Sequence, residues 1–237
     1  MAKFCSKCGK PLEDGKPCKC EGEVVKTSKT SQNGFGEMVK EYWELVKRVF
    51  KEPVTIVEEN NSEDKFGVAL VSIGASGAMM GLFYCLFIKA TVGALSSMVG
   101  GNIPYLKIFL LGFVAMAGVL AILAVAGYFA FATIFKSNTS IKKMFVLVGL
   151  TSIIETVALA GCSVLTLFQL SETIIYCIYG LIAVASILST VYFVKGVDKY
   201  AKVEANKLGY AVAIMYAITI IVAYLVATNV NWTSILV

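Results

Sequence analysis

Residues 144–168 read MFVLVGLTSIIETVALAGCSVLTLF, 25 residues holding one charged side chain, Glu155. As a helix rising ~1.5 Å per residue, such a run crosses a hydrocarbon core of about 30 Å, which needs ~20 mostly apolar residues. Four more runs of this character occupy residues 66–88, 108–135, 173–194 and 208–228. The expected fold is therefore an all-α membrane protein, with a five-transmembrane-helix bundle over residues 66–237.

Composition agrees. Hydrophobic residues make up 57% of the chain and charged residues 16%, against about 25% charged in soluble domains. Twelve of the sixteen acids precede Phe66, so the polar part of the chain is its N-terminal quarter. No apolar run in the first 60 residues suits a secretory signal, and the chain is expected to enter the membrane through its own spans. Alternating the spans puts Lys47, Arg48, Lys51, Lys65, Lys136, Lys142, Lys143, Lys195, Lys199, Lys202 and Lys207 on one side. Lys89 and Lys107 fall on the other. By the positive-inside rule the N-terminus is cytoplasmic and the C-terminus outside, with Trp232 as an interfacial anchor.

Within residues 1–22, Cys5 and Cys8 stand in F-C-S-K-C-G-K-P, and Cys18 and Cys20 in P-C-K-C. Two close cysteine pairs joined by a short turn-rich segment form the pattern of a zinc ribbon, each pair offering thiolates from one tight turn to a tetrahedral ion. A piece this small buries little, so structural zinc would supply its folding free energy. Cytoplasmic placement favours reduced thiols over disulfides. Disulfides or an iron site are the alternatives, and the C-x-C spacing of the second pair leaves the metal open. Four protein ligands close the site to hydrolytic chemistry. Five lysines offset three acids and the net charge of a zinc tetrathiolate, so no surplus charge is left for nucleic acid.

Residues 23–34 are polar and aperiodic and read as a flexible linker. Residues 35–65 comprise an amphipathic helix and a connector. At 100° per residue, Phe35, Met38, Val39, Tyr42, Trp43, Leu45, Val46, Val49 and Phe50 share an arc of about 160°. Glu37, Lys40, Glu41, Glu44, Lys47 and Arg48 lie opposite, and Pro53 ends the helix. Such a helix either lies in the cytoplasmic interface or packs on the cytoplasmic ends of the spans.

Inside the spans, Gly74, Gly77, Ala78 and Gly81 form a small-residue face suited to close helix contact, and a homo-oligomer is open to the chain. Glu155 is the one acid within a span. A charge at mid-bilayer costs ~2.5–3.5 kcal/mol on insertion scales. Glu155 should therefore face the bundle interior, with Thr151, Ser152 and Thr156 available as hydrogen-bond partners. It is either a protonated carboxyl joining helices or a proton or cation site. With no histidine in the chain, Ser-His and Cys-His dyads and histidine metal sites are excluded. There is no phosphate-binding glycine motif, and Cys85, Cys162 and Cys177 read as inert packing residues. An enzyme is not expected.

The F-C-x-x-C-G-K ribbon, the tether, an amphipathic segment ending V-F-K-E-P-V and five spans together resemble the bacterial zinc-ribbon members of the Yip family. That resemblance implies a five-span protein of the bacterial plasma membrane in a superfamily whose eukaryotic members meet Rab GTPases in trafficking. The D-L-Y-G-P motif of those members is absent, so Rab binding does not carry over. The function implied is a non-enzymatic membrane scaffold or adaptor that contacts a cytoplasmic protein through the ribbon. The alternative is a small transporter or channel subunit using Glu155.

Overall fold

The computed structural model describes residues 34–99, 103–168, 170–201 and 203–229. The ribbon cysteines Cys5, Cys8, Cys18 and Cys20, all of the linker but Gly34, and Trp232 lie outside the described residues. Among those described, every regular element is a helix. Two short helices, α1 (Phe35–Arg48) and α2 (Pro53–Asn60), precede five long ones: α3 (Phe66–Val99), α4 (Tyr105–Tyr128), α5 (Ile141–Leu165), α6 (Glu172–Ala201) and α7 (Ala205–Asn229). All five long helices are apolar and long enough to cross a membrane. A π-helical segment, Phe129–Ile134, extends α4.

The hub is α5. Sixty-one per cent of its apolar stretch is buried, against 17–33% in the other four, so the helix bearing Glu155 is the one its neighbours surround. It begins at Ser140, whose hydroxyl accepts from Lys143 N at 3.3 Å and occupies one of the free N–H groups of the first turn. Helices α3 and α5 run parallel. Ser72 pairs with Ser152 and Ser76 with Thr156, a constant offset of 80 residues.

The α3–α5 contact depends on the absence of a side chain at Gly149. A methyl there would stand 2.7 Å from both Cα and Cβ of Ala69, closer than carbon atoms tolerate. Against α4, which runs antiparallel, Gly81 plays the same part: its missing Cβ would lie 2.5 Å from the Phe109 carbonyl oxygen. Small residues thus set helix spacing where dispersion, rather than water exclusion, holds helices together. Gly74 has nothing within 4 Å of its missing Cβ, so the small-residue face seen in the sequence is used at Gly77 and Gly81 and not at Gly74.

Helices α1 and α2 make a hairpin at the lysine-rich end of the bundle. Lys65 at the start of α3 is ion-paired with Glu41 of α1. Lys199 of α6 reaches Glu58 of α2 at 3.0 Å, and Ser140 donates to Glu63 at 2.6 Å. From this charged layer the hairpin leans inward. At its tip, Val49, Phe50 and Pro53 border a cavity of about 210 Å³ with Ile154, Val157, Leu188 and Tyr192. Ile154 stands 13 residues beyond Ile141, roughly 20 Å along the helix. Arg48 is paired with Glu52 and Glu59 at 3.2 and 3.1 Å.

Candidate functional site

The hydroxyl-bearing residues around Glu155 divide between two faces of α5. Ser152 and Thr156 turn toward α3. Ser72 donates to the Gly149 carbonyl at 2.6 Å, and the Ser76 and Thr156 hydroxyls meet at 2.6 Å. Each also bonds a carbonyl of its own helix: Ser76 to Ser72, Ser152 to Gly149 and Thr156 to Ser152. Every polar atom in this ladder is buried and partnered, which is what a low-dielectric interior demands. Thr151 turns instead toward α6, where Ser189 donates to its carbonyl at 3.4 Å, and its own hydroxyl bonds the Leu147 and Val148 carbonyls.

Glu155 is left out of the ladder. Its carboxyl is partnered with the Ser189 hydroxyl of α6, the same hydroxyl that reaches the Thr151 carbonyl, and not with Thr151, Ser152 or Thr156. It borders a cavity of about 190 Å³ lined by Met80 of α3, Met116 of α4, Ala158 and Leu159 of α5, and Ile182, Ala185 and Ser186 of α6. The carboxyl sits 14 residues from Ile141 and 10 from Leu165, about 21 and 15 Å from the two ends of α5. Ser186 is exposed while Ala185 beside it is buried, so the cavity opens on the outer face of α6. Nearby, Thr190 of α6 and Tyr216 of α7 are joined at 2.8 Å.

The amphipathic helix uses half of its apolar arc against protein. Tyr42, Leu45 and Val49 are buried, with Met38 and Val46 packed beside them. Phe35, Val39 and Trp43 remain exposed, at 74, 39 and 57%, and form an apolar flank that the bundle does not cover; Phe50, 72% exposed, lies beyond the end of α1 at Arg48. Burial raises the Tyr42 phenol above its ordinary value of 10, a shift the Thr156 hydroxyl partly reverses. Tyr42 therefore ties α1 to the buried ladder.

Sequence reasoning did not single out Ser72, Ser76 or Ser189. Serine is ordinary in an apolar helix, where it bonds its own backbone, so the residues carry no signal alone. A usable one was the spacing: Ser72 and Ser76, like Ser152 and Thr156, recur at four residues and so share one helix face. Of the span cysteines, Cys162 is buried, Cys85 is half-buried and Cys177 is exposed. Among the described residues, no cluster of three or more metal-ligating side chains occurs. Comparison of the chain with protein-family models, curated proteins and solved structures gave no match.

Proposed function

We propose that the chain is a non-enzymatic integral membrane scaffold or adaptor of Yip-like character, with a cytoplasmic N-terminus. In this reading Cys5, Cys8, Cys18 and Cys20 hold structural zinc in a ribbon that engages a cytoplasmic protein. The bundle anchors that ribbon. The observation that carries the reading is the split face of α1. One stripe is packed into the bundle, while Phe35, Val39 and Trp43 are left apolar and exposed directly after the tether. An apolar flank beside membrane-spanning helices suits contact with lipid, and the ion pair of Lys65 with Glu41 fixes α1 to the start of α3.

The test is crosslinking and mass spectrometry in native membranes, comparing the full chain with Cys5→Ser and with a chain lacking residues 1–22. Loss of the same crosslinked protein from both variants, with Glu155→Gln retaining it, supports the scaffold. An unchanged set of crosslinked proteins refutes it. One observation favours a second reading, a small transporter or channel subunit: the Glu155 carboxyl opens into a cavity instead of joining the hydroxyl ladder. Proton-dependent flux in liposomes that is abolished by Glu155→Gln supports that reading, and wild-type liposomes no leakier than protein-free ones sink it.

A further inference from the structure

We infer that the cavity at Glu155 is a binding site for a small lipophilic monocation, a molecule with one ammonium group on an apolar body no larger than a benzene ring. This rests on the second reading only in placing a cation beside Glu155; the ligand class follows from the lining. Of the side chains around the cavity, Met80, Met116, Ala158, Leu159, Ile182 and Ala185 are apolar, Ser186 supplies one hydroxyl, and Glu155 supplies the carboxylate. Calcium and magnesium need six or more oxygens, and magnesium gives up its waters reluctantly. A carboxyl with Ser186 at the rim and Ser189 behind it falls well short of that number. An ammonium needs far less: one anionic acceptor and a wall of polarizable groups. The two methionine sulfurs are soft and adaptable neighbours for its apolar body.

Size and access agree. About 190 Å³ is a little more than the ~150 Å³ apolar cavity that accepts benzene. It is below the ~300 Å³ at which drug-sized pockets begin. The mouth lies at exposed Ser186, between Val184 and Ile187, which are 55 and 64% exposed. A ligand dissolved in the bilayer can enter there without crossing water. The five apolar runs contain no lysine, arginine or histidine, so an ionised Glu155 would take its pairing charge from the ligand. A carboxylate at this depth without a cation is expensive, and the ligand removes that cost by ion pairing.

The experiment uses the full chain in nanodiscs of zwitterionic lipid, with protein-free nanodiscs subtracting partition into the bilayer. Binding of benzylammonium is compared with that of neutral benzyl alcohol, at fixed ionic strength. Benzylammonium should bind at least tenfold more tightly than benzyl alcohol, and the difference should vanish in Glu155→Gln. Ala158→Leu, which keeps the carboxyl and fills the space, should weaken benzylammonium by a similar factor. The wild-type comparison stands even where a variant does not fold. Equal binding of the two probes by wild type overturns the site. So does unchanged binding by a folded Glu155→Gln, or displacement by millimolar sodium or calcium. Tight benzylammonium binding with no flux in liposomes keeps this site and removes the transport reading. Proton flux without benzylammonium binding does the reverse.

Discussion

Replacing Gly149 by alanine should separate α3 from α5 and weaken the bundle. The new methyl would meet Ala69 Cα and Cβ at 2.7 Å and its carbonyl oxygen at 2.8 Å. Those are backbone and methyl atoms with no rotamer to escape into. Overpacking of this kind costs ~1–3 kcal/mol. The Ser72 bond to the Gly149 carbonyl, 2.6 Å, lengthens with it, at about 0.6 kcal/mol for a typical hydrogen bond between membrane helices. Alanine is the better helix former by up to ~1 kcal/mol, as measured in water. The net loss is roughly 0.5–2.5 kcal/mol, so the middle of the range is about a tenfold drop in the ratio of folded to unfolded chain. Gly74→Ala is the control, since a methyl there enters open space and should be neutral or mildly stabilising. The assay is equilibrium unfolding in mixed micelles, followed by helical circular dichroism. If Gly149→Ala unfolds at the same denaturant fraction as Gly74→Ala, close approach of α3 and α5 does not hold the bundle.

Ser76→Ala removes the 2.6 Å contact with Thr156 but leaves Thr156 bonded to the Ser152 carbonyl. The expected cost in the same assay is therefore about 0.6 kcal/mol and at most ~1.7; a loss exceeding that of Gly149→Ala would make the hydroxyls the main bond between the helices. The Tyr42 phenol is raised above 10, first by burial, so its neutral form is favoured in the docked state. Its contribution is then complete below pH ~10 and lost as pH climbs through the raised value. Emission from Trp43 should report α1 leaving the bundle in that alkaline window, and in Tyr42→Phe the transition should be missing; an identical transition in both proteins rules Tyr42 out as its cause. Metal analysis of the purified chain under reducing conditions should find one zinc per molecule, falling to none in Cys5→Ser/Cys18→Ser, and a wild type without zinc removes the ribbon.

The number and length of the long helices were readable because hydrocarbon imposes a minimum apolar length, and all five runs meet it. What the runs conceal is which one is central. Residues 108–135 and 208–228 read as apolar as 144–168 or more so, yet α5 is the buried helix. A bundle interior and lipid tails are equally apolar, so hydropathy cannot tell them apart. The distinguishing marks of α5 were polar: Thr151, Ser152, Glu155, Thr156 and Ser163 within thirteen positions. The amphipathic face of α1 was legible as an arc. Its division into a packed stripe and an exposed flank was not, because both halves are apolar and only the curvature of the bundle separates them.

The same polarity explains why Glu155 and the hydroxyl ladder part company within one helix turn. Positions 152 and 156 face α3 at the closest helix approach, where Gly149 meets Ala69 and no free volume remains. A carboxyl there would need a partner in a space too tight to admit one. Position 155 is rotated about 100° from 156, toward the cavity lined by Met80 of α3, Met116 of α4 and Ile182 of α6. An ionisable group in the ladder would serve only to lock the bundle. One step around the helix, the same group has volume before it and hydroxyls beside it at Ser186 and Ser189, which is what the proposed ammonium site requires.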